Sequence, residues 1–172
     1  MEDNLTKNNN LSKFIRETIE KNKWKSNSRI NGEACEEYAK TQLNCSRCGT
    51  NNFEKCKINE KSIDLICNVC KQNYQIKSKK ITQKQINNIK NTNSIKILGG
   101  EYLTTLNNIN KNIDYIIILY ESNSYEIKNI LYIKSENIIA ECILPRNPLK
   151  STAQRAGWRG CNILFNNVLF IK

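Results

Sequence analysis

Apolar side chains recur at helical spacing in the first quarter of the chain. In the first segment they are Leu11, Phe14, Ile15 and Ile19. Residues three and four positions apart share one face of an α-helix, so this pattern predicts an amphipathic helix that ends near Lys21. A second helix is predicted over residues 29–43, with Glu33 and Glu37 opposite its apolar stripe. That stripe consists of Cys35, Tyr38, Ala39 and Gln42.

Two long apolar runs in the second half predict a buried β-hairpin. They are IDYIIILY, residues 113–120, and EIKNILYIK, residues 126–134, and a short polar loop separates them. Shorter strand patterns occur at residues 62–66 and 74–78. The end of STAQRAGWRGCNILF, residues 151–165, also has strand character.

The segments between these elements are more polar. Residues 1–10 are rich in asparagine and predict a mobile end. Residues 82–94 predict a loop with room for a turn of helix. Gly99 and Gly100 precede a helical pattern over residues 101–109, whose apolar face is Tyr102, Leu103 and Leu106. No repeat or linker interrupts the sequence, so we expect one α/β domain over residues 11–172.

Composition narrows the choice of partner and compartment. The chain has 172 residues, a formal net charge of +11 and no histidine. The charge favours a polyanionic partner, with nucleic acid first and an anionic membrane second. No apolar run approaches the roughly 18 residues that span a bilayer, and no signal peptide is recognised. We therefore expect no membrane association and a cytoplasmic location, or a virion or host cell if the source is viral.

Four of the eight cysteines form two C-x2-C pairs, Cys45 with Cys48 and Cys67 with Cys70. Two residues between cysteines allow a tight turn that aims both sulfurs at one ion, and two such turns complete a tetrahedron. The spacing predicts a structural Zn2+ site within a zinc-binding insertion at residues 45–70. Four ordinary buried thiols, or two disulfides, are the alternative.

A second group of residues surrounds the later cysteine pair. Side chains alternate along a strand, so Gln75 and Lys77 share one face. If the second cysteine pair forms the turn of a hairpin, Asp64 lies beside them. The Asp64 carboxylate, the Gln75 amide oxygen and the Ile76 carbonyl oxygen are the kind of ligands that Mg2+ prefers. The Lys77 ammonium can stabilise the negative charge that develops in a reaction. The pattern suits metal-dependent phosphodiester hydrolysis, but it also occurs on ordinary solvated strands.

Three motifs follow the first cysteine pair in a fixed order: IDLICNVCKQNYQIKSKK (63–80), GGEYLTTLNNI (99–109) and STAQRAGWRGCNI (151–163). Together they resemble the catalytic domain of the DpnI-like, Dam-replacing family of type II restriction endonucleases, over about residues 28–165. The resemblance implies a restriction-endonuclease-like PD-(D/E)XK core with a mixed central sheet flanked by helices and an inserted four-cysteine zinc knuckle. It also implies Mg2+-dependent cleavage of double-stranded DNA.

The resemblance assigns a role to each residue of the site. Asp64 corresponds to the catalytic aspartate, Gln75 to a position usually held by Glu, and Lys77 to the catalytic lysine. Asp64, Gln75 and the Ile76 carbonyl are then the expected Mg2+ ligands. Because Gln75 is neutral where an acid is usual, three carboxylates on the preceding helix are candidates for the missing charge: Glu33, Glu36 and Glu37.

The substrate that the resemblance implies is a short, GATC-like DNA site containing N6-methyladenine, cut by a monomer or by a transient dimer on DNA. The family prototype also carries a C-terminal winged-helix domain, which we expect this chain to lack. Two alternatives remain: a catalytically weak or inactive zinc-ribbon protein that binds DNA, and a nuclease that cuts unmethylated sites.

Basic and aromatic residues predict the DNA contacts. Lys79 and Lys80 are expected at phosphates, because lysine is a point charge without a recognition fork. In TAQRAGWRGCN, Arg155 and Arg159 are expected at phosphates or guanine edges, and Trp158 at a base or a methyl group. In the alternative, Trp158 anchors this loop to the core and the arginines are solvated; the resemblance favours DNA contact.

Overall fold

The computed structural model describes residues 10–21, 26–56, 62–166 and 168. Its helices are α1 (Ser12–Lys21), α2 (Asn27–Gln42), α3 (Gln83–Thr92) and α4 (Tyr102–Asn107). Its strands are β1 (Phe53–Lys55), β2 (Leu65–Cys67), β3 (Asn73–Lys80), β4 (Ser94–Glu101), β5 (Ile113–Tyr120), β6 (Ile127–Ile133), β7 (Ile143–Pro145) and β8 (Gly160–Asn166). The predicted mobile end lies outside the described residues except for Asn10. Within the described ranges, no helix is long and apolar enough to cross a membrane.

The strands form two sheets. A five-stranded mixed sheet has the order β1-β2-β3-β5-β6, and a three-stranded antiparallel sheet has the order β4-β8-β7. In the larger sheet, β3 and β5 run parallel from the pair Asn73↔Ile113 to the pair Lys80↔Tyr120, and the other neighbours are antiparallel. The fold is thus the α/β arrangement with a mixed central sheet that the sequence predicts.

The larger sheet is the middle of three layers. One of its faces packs against α1 and α2, and the other packs against the smaller sheet and α3. On β5, Ile116 and Ile118 lie in the first core, while Ile117 and Leu119 lie in the second. Successive side chains point to opposite faces of a sheet, so every residue of β5 is buried.

Several sequence predictions are confirmed. Both N-terminal helices are present, the two long apolar runs form the hairpin β5–β6, and the C-terminal strand is β8. The apolar stripe of α1 is narrower than predicted, because Ile19 is 45% exposed and Thr18 is buried instead. The predicted strand 62–66 is shorter, and β2 begins at Leu65.

The predicted loop over residues 82–94 is wrong, because most of it forms α3. Thr82 caps the helix by accepting a hydrogen bond from the backbone N–H of Gln85, and the Gln85 side chain accepts one from the N–H of Thr82. This reciprocal capping box satisfies donors that a helix start leaves unpaired. Ile86 and Ile89 are buried, and they hold this otherwise polar helix against the second core.

The helical pattern over residues 101–109 is also corrected. Gly99 and Gly100 lie within β4, a strand that the sequence analysis did not predict, and α4 ends at Asn107. The strand approaches its neighbour closely at Gly99, since a Cβ there would collide with the Sγ of Cys161. Leu103 is 60% exposed and does not contribute to the core, unlike Tyr102 and Leu106.

Candidate active site and zinc centre

The four cysteines of the two C-x2-C pairs form one cluster. Their Sγ atoms all lie within 4.8 Å of one another. The Sγ atoms of Cys45 and Cys70 are 3.5 Å apart, and those of Cys48 and Cys67 are 3.6 Å apart. A tetrahedron with Zn–S bonds of about 2.3 Å has edges of about 3.8 Å, so the cluster fits a Zn2+ ion.

The cluster is tied to the central sheet by a buried tyrosine. The hydroxyl of Tyr74 on β3 lies 3.1 Å from the Sγ of Cys45 and 3.0 Å from the Oγ of Ser46. Burial raises the pKa of Tyr74, so its hydroxyl stays protonated and can donate to a thiolate. Tyr74 immediately precedes Gln75 in β3. The residue that contacts the cysteine cluster is therefore the neighbour in sequence of a predicted catalytic residue.

A buried ion pair makes a second link between the cluster and the sheet. Arg47, between Cys45 and Cys48, donates from Nε and Nη2 to the Asp114 carboxylate at 2.7 and 2.8 Å. Asp114 lies on β5 and also accepts a hydrogen bond from the backbone N–H of Ser135. The first cysteine turn is therefore fixed to β5 by this ion pair. The second cysteine turn leads directly into β3.

The β2–β3 hairpin places Asp64 beside β3. Asp64 lies one residue before β2, and its Oδ2 accepts a hydrogen bond of 2.7 Å from the backbone N–H of Ile76. The N–H and C=O groups of one strand residue point to the same side of the strand. The carbonyl of Ile76 therefore points toward the side of β3 where Asp64 lies. Cys67 ends β2 and Cys70 lies in the turn, so the second cysteine pair spans the turn of this hairpin, as the sequence predicts.

Gln75 and Lys77 flank Ile76 on the other face of β3, and both side chains are partly buried. Within the described residues, neither the Gln75 amide nor the Lys77 ammonium makes a hydrogen bond or an ion pair within 4 Å. Burial lowers the pKa of Lys77, and the negative charges of Asp64 and Glu36 partly oppose that shift. Burial raises the pKa of Asp64, against the Ile76 hydrogen bond and the Lys77 charge.

A carboxylate on α2 joins this group. The pKa of Glu36 is raised to about 7, mainly by burial and further by the charges of Asp64 and Glu33, while Lys55 and Lys77 oppose the shift. The Nζ of Lys55 lies 3.8 Å from the Glu36 carboxylate and 3.2 Å from that of Glu37. Sequence reasoning named Glu36 only as one of three candidates. It missed Lys55, which belongs to a three-residue strand with no periodic signal.

The two predicted phosphate-binding lysines differ in their environment. The Nζ of Lys79 donates a 2.7 Å hydrogen bond to the backbone carbonyl of Lys96 on β4, and its burial lowers its pKa. Lys80, the last residue of β3, is exposed. Of the two, Lys80 has the freer ammonium in this structure.

The predicted recognition loop connects β7 and β8. The guanidinium carbon of Arg155 lies 4.9 Å from the centroid of the Trp158 ring, and that of Arg159 lies 5.6 Å from the Tyr102 ring. Trp158 is partly buried, and a Cβ on Gly160 would lie 2.8 Å from its ring. The ring thus packs over the glycine backbone and orders the loop, while both arginines remain exposed.

The loop and the catalytic candidates meet at the start of β8. Cys161 follows Gly160, and it lies close enough to Lys77 for a charge on either group to affect the pKa of the other. The Sγ of Cys161 also lies 3.5 Å from the carbonyl oxygen of Gly100. The end of the arginine-containing loop is therefore next to the face of β3 that carries Lys77.

The described geometry combines a four-cysteine cluster, a hairpin carrying an Asp, a Gln and a Lys, and a basic loop beside them. A comparison with known families gives a match to the DpnI model, the Dam-replacing family, over residues 11–169. The match includes both cysteine pairs, the hairpin and the arginine-containing loop. On this evidence the chain belongs to the DpnI, or Dam-replacing, family.

Proposed function

We propose that this protein is a Mg2+-dependent type II restriction endonuclease that hydrolyses double-stranded DNA at a short site containing N6-methyladenine. Family membership supports a nuclease that acts on methylated DNA. The observation that carries the catalytic assignment is the hydrogen bond from the Ile76 N–H to Asp64, which holds a carboxylate beside Gln75 and Lys77.

The residues at this position fit a hard divalent cation. Asp64 offers a carboxylate oxygen, Gln75 an amide oxygen without a described partner, and Ile76 a carbonyl directed to the same side. When bound, Mg2+ would supply Lewis-acid polarisation of the scissile phosphodiester. Lys77, an ammonium without a described hydrogen-bond partner, would orient the attacking water or stabilise the negative charge that develops on phosphate oxygens.

The DNA would lie across the face that contains β3 and the loop between β7 and β8. Lys79 and Lys80 would contact the DNA phosphates. Arg155 and Arg159 have the planar guanidinium that suits phosphate or guanine edges, and Trp158 would contact a base or its methyl group. We propose a monomer or a transient dimer as the species that acts on DNA.

The test is a cleavage assay with Mg2+ on plasmids from adenine-methylating and non-methylating hosts. We expect cutting of the methylated plasmid alone. Asp64→Asn keeps the size and the hydrogen-bond acceptor but removes the charge, so we expect cleavage to fall at least about 100-fold. Zinc content should stay unchanged, because Asp64 is outside the cysteine cluster. Unchanged cleavage by this variant would refute the assignment of Asp64 as a catalytic residue.

A second candidate function follows from the neutral side chain at Gln75. An amide oxygen binds Mg2+ more weakly than a carboxylate, and a chain with too weak a metal site would bind DNA through its zinc-stabilised fold without cutting it. Binding with no cleavage under any divalent metal would favour that function. Cleavage of only the unmethylated plasmid would instead favour a nuclease with the opposite methylation preference.

A further inference from the structure

The proposed metal site has one carboxylate where two are expected, because Gln75 is neutral. Mg2+ is held in proteins mainly by carboxylates, and the number of charges at a site sets its affinity. A second carboxylate from outside the β2–β3 hairpin would restore the charge of the site. The helix α2 carries three carboxylates within five residues, Glu33, Glu36 and Glu37.

The packing of α2 on β3 distinguishes Glu36 from the other two carboxylates of this helix. Cys35 is buried against the sheet, where its thiol contacts the side chain of Ser78. Glu36 is the next residue, so its side chain leaves the helix beside this contact. Within the described residues, β2 pairs with β3 only at Asn73 and Tyr74. From Gln75 onward β2 no longer pairs with this edge of β3, and Glu36 lies close enough to Asp64 for the two charges to interact.

Charges around Glu36 agree with this position. Its carboxylate interacts with the charges of Asp64, Lys55 and Lys77, which come from three other segments, and with that of Glu33 on its own helix. Two carboxylates that face one another repel unless a cation lies between them. The Lys55 Nζ, 3.8 Å from Glu36, partly meets that need in the structure. The Lys77 ammonium is partly buried beside the pair, and its charge also offsets part of their repulsion.

Glu33 and Glu37 have a different environment. Both line a cavity of about 210 Å³ between α1 and α2, together with Phe14, Glu17, Thr18, Lys21 and Lys55. Glu37 also pairs with Lys55, at 3.2 Å. It thus shares with Glu36 its helix, its charge and its lysine partner, but it faces the cavity. Glu37 is consequently a matched control for Glu36.

We propose that Glu36 is a catalytic residue that supplies the second carboxylate ligand for the divalent cation at Asp64, in place of the acid missing at Gln75. This inference rests on the proposed nuclease function. It predicts that Glu36 and Gln75 can exchange roles, since what the site requires is one further negative charge and not a charge at a particular position of the chain.

Cation binding without DNA tests the proposal. Mg2+ and Mn2+ are titrated calorimetrically into the zinc-loaded wild-type protein and into the Glu36→Gln and Glu37→Gln variants. We expect Glu36→Gln to weaken cation binding at least ~10-fold, which corresponds to about 1.4 kcal/mol. Glu37→Gln should stay within about twofold of the wild type on the same scale. Cleavage of methylated plasmid should fall in parallel with affinity.

A rescue variant makes the test specific. Gln75→Glu in the Glu36→Gln background returns the lost charge to β3, so it should restore cation affinity. Melting temperature and zinc content are followed for every variant, and Glu36→Met, uncharged and of similar length, replaces Glu36→Gln should that variant not fold.

Equal cation affinity of the Glu36 and Glu37 variants, with cleavage retained, would overturn the role of Glu36 and leave the nuclease function intact. A wild-type protein that neither cuts DNA nor binds either cation would instead refute the nuclease function itself.

Discussion

At the scale of single residues, the Arg47–Asp114 pair is the contact that fixes the first cysteine turn to β5. The Asp114 side chain is 2% exposed, and Arg47 meets it with two short hydrogen bonds. A buried carboxylate that loses its cation keeps its desolvation penalty without compensation. Arg47 also contacts Glu136 at 2.6 Å, but that side chain is 55% exposed. Water screens an exposed pair and leaves it little net stability.

This difference predicts unequal effects of two substitutions. Arg47→Met keeps the length of the side chain but leaves Asp114 uncompensated, so it should lower the free energy of unfolding by about 3 kcal/mol. Glu136→Gln should lower it by about 1 kcal/mol at most. Urea unfolding of the zinc-loaded proteins measures both values. Equal losses in the two variants would mean that the buried pair has no special role.

At the scale of elements, the β2–β3 hairpin joins the four-cysteine cluster to the catalytic candidates. Cys67 ends its first strand, Cys70 lies in its turn, and its second strand carries Tyr74, Gln75 and Lys77. The Tyr74 hydroxyl lies 3.1 Å from the Sγ of Cys45. Hydrogen bonds to metal ligands orient those ligands and adjust their affinity for the metal. Tyr74 thus connects the cysteine cluster to the strand on which the chemistry is proposed.

Tyr74→Phe should weaken zinc retention roughly tenfold while leaving the fold intact, because only the hydroxyl is removed. Competition with a chromogenic chelator measures the retention. Tyr120→Phe is the matched control, since it removes a buried hydroxyl from β5 far along the strand from the cysteines. If both variants release zinc at the wild-type rate, the Tyr74 contact does not stabilise the metal centre.

The elements that the sequence predicts well are those with strong local signals. The run from Ile113 to Tyr120 is apolar at every position except Asp114, and the paired cysteines mark the hairpin by their spacing alone. By contrast, α3 has a capping box but only two buried apolar residues, and β4 contains two adjacent glycines. Those elements exist because neighbouring layers cover one of their faces, and local sequence does not carry that information.

The residues of the candidate site also differ in how far the sequence alone predicts them. Asp64, Gln75 and Lys77 can be proposed from the sequence because a hairpin brings together residues that are close in the chain. The choice of Glu36 among its helical neighbours depends on how α2 is rotated against β3, and Lys55 comes from a segment without periodicity. Both are tertiary properties, so the sequence limits the candidates and the packing selects among them.

At the scale of the whole molecule, the layered arrangement places the arginine-containing loop and α1 on opposite sides of the central sheet. The loop between β7 and β8 belongs to the three-stranded sheet, and α1 lies across the central sheet from it. Arg159 on this loop is exposed, and its Nε donates a 2.9 Å hydrogen bond to the carbonyl of Arg146. Its remaining N–H groups are directed by this bond and by the Tyr102 ring, which favours a defined contact with DNA.

Binding of DNA should therefore depend on Arg159 and not on the net charge of +11 as such. Each phosphate contact releases counterions, so its loss reduces the slope of log affinity against log salt concentration by about 1. We expect Arg159→Gln to weaken binding of methylated DNA and to reduce the slope by that amount. Arg16→Gln, an equal charge change on an exposed position of α1, should alter neither quantity. Fluorescence anisotropy in Ca2+ buffer at several salt concentrations makes the comparison, and equal effects of the two variants would show that binding follows total charge without a defined DNA face.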